Sequence, residues 1–97
     1  MNDSVYNVLK RPLITERTNE LRDAHNQYAF EVNIEANKVQ IRHAIEDLFG
    51  VRVTAVRTVT IAGKVKRFRR GFGKRPNWKK AIVTLRDGDM IDIFEGV

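Results

Sequence analysis

The chain has 97 residues, 42% of them hydrophobic and 31% charged, with 18 Lys or Arg against 12 Asp or Glu and a net charge of +6. That length suits a single domain, residues 1–97, around one modest core. The absence of cysteine excludes a disulfide framework and thiolate metal sites, and no apolar run reaches the ~18–20 residues that cross a bilayer.

The N-terminus, MNDSVYNVLKRP, lacks the apolar centre of a secretory signal, so cytosolic residence is expected. Val5, Val8 and Leu9 are apolar; Lys10-Arg11-Pro12 then stops any helix and forces Arg11 towards an extended conformation. A short strand or turn is expected there. Leu13 to Ala24 reads as a short helix, with Thr15 as N-cap and Glu16 in a first turn where a carboxylate suits the helix dipole. Residues 27–34 alternate cleanly, with Tyr28, Phe30, Val32 and Ile34 on one face, which predicts a strand with one buried side.

Residues 37–49 carry the strongest helical pattern. Asn37 can cap the helix while Gln40 reaches back, as in a capping box. Ile41, Ala44, Ile45, Leu48 and Phe49 form one apolar stripe, and Gly50 supplies a left-handed terminator. Residues 51–61, VRVTAVRTVTI, are β-forming, with odd positions apolar except Arg57 and with Val56 out of phase. Either a bulge near 56–57 or a partly covered second face accounts for this. Ala81, Val83 and Leu85 alternate in a further strand, Arg86-Asp87-Gly88-Asp89 is a turn, and Met90–Phe94 suits a short terminal strand. The order predicts an α+β fold: a small, open, mainly antiparallel sheet packed with helices, whose last two long strands pair as a hairpin.

The connection inside that hairpin, Gly63–Asn77, is long and unusual. Residues 1–47 carry six basic and eight acidic side chains, a net −2; residues 48–86 carry twelve basic and no acidic ones; residues 87–97 carry four acids and no base. From Lys64 to Lys80 there are nine Lys or Arg residues, with Phe68, Phe72 and Trp78 interleaved, and with Gly71, Gly73 and Pro76 expected to interrupt any helix or strand. A basic run is often only solvated surface, but acids occur freely elsewhere in this chain. Burying unpaired like charges costs too much for the segment to fold back on itself. Its natural partner is a polyanion with flat faces: cations release counterions from phosphate, and aromatic rings stack on unpaired bases. A thin loop of this kind favours folded RNA recognised by shape. Trp78 suits either a stacking platform or a cap on the core; Phe68 and Phe72, amid charges, suit the core less well.

Several stretches together resemble one family. Lys10-Arg11-Pro12-Leu13-Ile14-Thr15-Glu16-Arg17 looks like its opening motif, basic–Pro–x–x–Ser/Thr–Glu–basic. Tyr28–Val32, Ala36-Asn37-Lys38, Leu48-Phe49-Gly50-Val51 and Gly63-Lys64-Val65-Lys66-Arg67 follow in order. The most specific segment is Arg75-Pro76-Asn77-Trp78-Lys79-Lys80-Ala81-Ile82-Val83-Thr84-Leu85. The chain thus resembles, from about Leu9 to Phe94, the large-ribosomal-subunit protein family number twenty-three, in its bacterial or organellar form. The loop centre, Phe68–Phe72, departs from that family in the placement of its glycine and arginines.

The resemblance implies a structural, non-enzymatic protein of the cytoplasmic (or organellar) ribosome, without cofactor or metal. It implies contact with large-subunit rRNA and neighbouring large-subunit proteins beside the nascent-peptide tunnel exit, with the long loop running along the tunnel wall towards the nascent polypeptide. Carried over, the rRNA contacts are Lys64, Lys66, Arg67, Arg69, Arg70, Lys74, Arg75, Lys79 and Lys80, with Trp78 and Lys38 as further candidates. Ile14-Thr15-Glu16 corresponds to the family's docking point for trigger factor. Taken alone, Glu16 is an ordinary first-turn acid. Transient contacts with the signal recognition particle and the translocon are also implied, without membrane insertion.

Other readings carry less. His25 and His43 lie in different elements with no nucleophile beside them, and Asp87, Asp89 and Asp92 fit a polar turn better than a hard-cation loop. An architectural DNA-binding protein with a basic hairpin arm, using Phe72 as a wedge, is the main alternative.

Overall fold

The computed structural model describes residues 5–68, 71–74 and 76–92. In chain order the elements are α1 (Val5–Val8), β1 (Leu9–Pro12), α2 (Glu16–His25), β2 (Gln27–Val32), α3 (Lys38–Phe49), β3 (Val53–Ile61), β4 (Val65–Phe68), β5 (Gly71–Lys74) and β6 (Trp78–Leu85). Four strands form an antiparallel sheet in the order β1-β2-β6-β3; β4 and β5 form a separate two-stranded ribbon. The α+β expectation and the β3–β6 hairpin are both found. The N-terminal stretch holds one helical turn as well as a strand.

Local chemistry fixes both long helices. At α3, Asn37 Oδ1 accepts from Gln40 N at 2.8 Å and Gln40 Oε1 accepts from Asn37 N at 2.9 Å. Such a cap is worth about 1 kcal/mol against alanine. Gly50 closes the helix at φ 65°, where a side chain would be strained. At α2, Thr15 is the N-cap as expected, but the helix begins at Glu16 rather than Leu13, because Leu13 N donates to Ala29 O (2.9 Å) and stays with the sheet. Its reciprocal partner is Thr18, whose hydroxyl accepts from Thr15 N at 2.7 Å.

The core lies between α3 and one face of the sheet. Ile41, Ala44 and Ile45 pack with Tyr28, Phe30 and Val32 of β2 and Ala81, Val83 and Leu85 of β6. Phe49 leans on Phe30 with ring centroids 5.9 Å apart. Two residues of the expected apolar faces stand outside: Ile34 is 46% and Leu48 is 48% exposed. Ile34 falls beyond the last β2 pair, where alternation no longer sets its direction, and Leu48 is on the rim of the helical stripe.

The bulge in β3 is not at 56–57. The register shifts between Val53 and Ala55, so Val53 pairs with Leu85, Ala55 with Thr84 and Val56 with Val83. Thr54 Oγ1 donates to Thr84 O at 3.2 Å across the irregularity. The extra residue reverses the phase of everything after it. Val56 therefore packs against the core, whereas Ala55, Arg57 and Val59 are exposed.

The C-terminal segment is tied down by polar contacts rather than by the expected strand; residues 90–92 are irregular, and 93–94 lie outside the described residues. Tyr28 Oη accepts from Ile91 N (3.2 Å), and Asn26 Nδ2 donates to Asp89 O (3.0 Å). The Asp89 carboxylate accepts from Arg52 N at 2.8 Å and from Arg86 Nη2 at 3.2 Å. The Arg52 N–H holds its pKa below the ordinary value; desolvation opposes this, and the Arg86 guanidinium adds to the lowering. A lowered folded-state pKa gives stability that is complete above the unfolded carboxylate value and is lost as pH falls through the folded one. Asp89→Asn should therefore melt below the wild type at neutral pH, and the gap should close in acid. Parallel melting temperatures across an acid titration would show that this carboxylate contributes nothing.

Candidate nucleic-acid interface

The bulge and the alternation of the sheet leave one face of side chains away from the α3 core. The register places Arg11, Glu31, Lys80 and Val59 in one row, Ala29, Ile82 and Arg57 in the next, and Ile61 beside Trp78 at the end of the sheet. Arg11 Nε bonds Glu31 Oε1 at 2.8 Å. Glu31 is flanked by Arg11 on one side and Lys80 on the other, and no second carboxylate answers Arg57 along its row. Trp78 is half-buried and lies outside the core cluster, which removes the cap-on-the-core role.

The ribbon rises from this end of the sheet. Asn77 Oδ1 accepts from Gly63 N at 3.0 Å and joins the two stems. The strands pair Val65 with Lys74, Lys66 with Gly73, Arg67 with Phe72 and Phe68 with Gly71. The segment expected as an irregular loop is thus largely regular. Gly73 is accommodated in the ladder, and Gly71, at φ 138°, supplies a conformation that L side chains rarely adopt.

The carried-over residues separate into three places. Lys64 and Arg67 are exposed on the ribbon, Lys66 and Lys74 sit in its strands, and Arg69, Arg70 and Arg75 lie outside the described residues. Trp78 and Lys80 belong to the outer sheet face. Lys79 points to the other side, where its Nζ donates to Ala36 O at 2.7 Å. Lys38 is exposed at the start of α3, away from the ribbon in sequence and element. Arg57 and Arg11, which no sequence motif singles out as RNA contacts, share the outer face with Lys80, and Lys10 is exposed beside Arg11. The phase break at Arg57 was the available signal, since an arginine among alternating apolar residues marks the strand's open side once the bulge is placed. Ile14 is half-buried, and Thr15 and Glu16 are exposed at the N-terminus of α2. Among the described residues the Glu16 carboxylate has no hydrogen-bond or ion-pair partner.

Residues 7–93 match the family model described as Ribosomal protein L23. The chain belongs to the ribosomal protein L23 family. It is similar to the large ribosomal subunit protein uL23 of Anaeromyxobacter sp. (strain K), 55% identical over 96 residues and covering 99% of both chains. The uL23 of Geobacter sulfurreducens is 54% identical over 92 residues, 95% of this chain and 98% of the relative. That of Citrifermentans bemidjiense is 53% identical over 92 residues. These relatives are bacterial, in line with the bacterial type of the sequence resemblance. A family of ribosomal proteins leaves the enzyme reading without support.

Proposed function

We propose that this L23-family chain is a structural constituent of the large subunit of the cytoplasmic ribosome, held on large-subunit rRNA by its basic ribbon and the outer face of its sheet. The carrying observation is the segregation of charge: twelve basic and no acidic residues from 48 to 86, much of it on a ribbon outside the main sheet. A pure protein-docking module would leave that segregation without a cause. The body sits beside the nascent-peptide tunnel exit among neighbouring subunit proteins, and the ribbon follows the tunnel wall. With the family established, no observation favours the duplex-DNA arm. Tagged protein should co-sediment with large subunits after a high-salt wash and crosslink to rRNA through the ribbon. Loss into the supernatant with no RNA crosslink would refute the reading.

Ile14-Thr15-Glu16 is the docking point for trigger factor in this reading. The unpaired, exposed carboxylate supports it, since the capped helix N-terminus that carries it is fixed while the side chain stays open to a cationic partner. Glu16→Ala should reduce recruitment of the chaperone several-fold in a pull-down on subunits while incorporation stays intact. A variant that no longer enters the subunit would assign Glu16 to the fold instead. The signal recognition particle and the translocon share this exit region as transient partners.

A further inference from the structure

At the root of the ribbon lies an open cleft of about 790 Å³. One wall comes from the ends of β1 and β2, with Lys10, Arg11 and the exposed Ile34; the other comes from the two stems of the ribbon, with Lys64, Asn77 and Trp78. Its size falls within the ~300–1,000 Å³ of sites that hold nucleotide-sized ligands. Three of its side chains are cationic. Its one carboxylate, Glu31, is already paired with Arg11.

We propose that this cleft takes a single unpaired nucleotide of the bound RNA, stacked on Trp78 with its flanking phosphates on Lys10 and Lys64. The proposal rests on the RNA-binding reading and adds a base-binding site to it. Three observations carry it. Trp78 is held outside the core at the sheet's end, half-buried by its own fold and with surface remaining in the cleft. The Asn77 carbonyl oxygen is fixed by Gly63 N–H, and its Nδ2, with no partner among the described residues, offers donors to the edge of a base. The surplus of cations selects a polyanion over an apolar peptide side chain, although Ile34 and Trp78 would suit either.

Trp78 is the chain's only tryptophan, so its emission reports directly on the cleft. The full chain is titrated with a uridine hexaribonucleotide, with an abasic ribose-phosphate oligomer of equal length, and with an apolar peptide. The expected result is quenching by the uridine oligomer and an affinity roughly five- to 150-fold above the abasic one, the range of base–aromatic stacking. Trp78→Leu, followed with a labelled oligomer, should abolish that preference while keeping abasic binding. Lys64→Ala should weaken both oligomers alike. Equal affinity of the two oligomers for the wild type overturns the base site while leaving phosphate binding standing. Binding of neither oligomer overturns both readings, and saturation by the peptide instead makes this a protein cleft. Should Trp78→Leu fail to fold, the wild-type comparison of quenching decides alone.

Discussion

Replacing Arg67, Arg69, Arg70, Lys74 and Arg75 together by alanine should reduce RNA affinity and flatten its salt dependence. Each phosphate contact contributes ~0.7–0.9 to the slope of log K against log salt, so five contacts remove up to about 3.5–4.5 from it. The loss follows from counterion release and does not depend on which RNA helix is bound. The ribbon is a separate sheet from the four strands that carry the core, so the melting temperature of the free protein should barely change. Filter binding over a salt series and a thermal melt separate the two effects. An unchanged slope would mean that these side chains meet no phosphate.

Phe30→Ala is expected to have the largest effect on stability. Phe30 is 2% exposed in the strand that pairs with both β1 and β6, and its ring meets Phe49. Truncating a buried Phe costs about 3–5 kcal/mol, counting both lost transfer energy and the cavity left behind. A domain of this size holds only ~5–15 kcal/mol in total. At ~4–8 °C per kcal/mol, the melting temperature should fall by at least about 12 °C. Val39→Ala, at a position 54% exposed, should stay within about 0.5 kcal/mol. A drop of similar size for both variants would mean that the core has been misplaced.

Elements governed by near neighbours were legible in the sequence. The Asn37–Gln40 cap, the Gly50 terminator and the Ile41–Ala44–Ile45 stripe are all local, and all are found. So was the buried face of β2 as far as Val32, but the strand is not buried on one side only: Ala29, on the opposite face, is 2% exposed and pairs with Ile82, which is buried too. The β3 bulge was misplaced because its position depends on Thr84 of a strand some thirty residues away, whose carbonyl the Thr54 hydroxyl reaches. The same distance hid the outer face. Arg11 joins Lys80 and Arg57 only after β1, β6 and β3 have been ordered around β2 and one another. The ribbon was hidden for a different reason. Glycines that weaken an ordinary strand serve here where Gly71 takes a positive φ, so a composition that argues against pairing does not forbid it.

The placement of β6 governs when the molecule can exist. This strand, the final one of the sheet in sequence, is inserted between β2 and β3. Until residue 85 has been synthesised and released from confinement, β2 and β3 share only α3 and lack the strand that pairs with both, and the β1–β2 pair is too small to persist alone. Folding of the sheet therefore waits for β6, and a chain interrupted before Trp78 yields no partial body for quality control to mistake for a finished one.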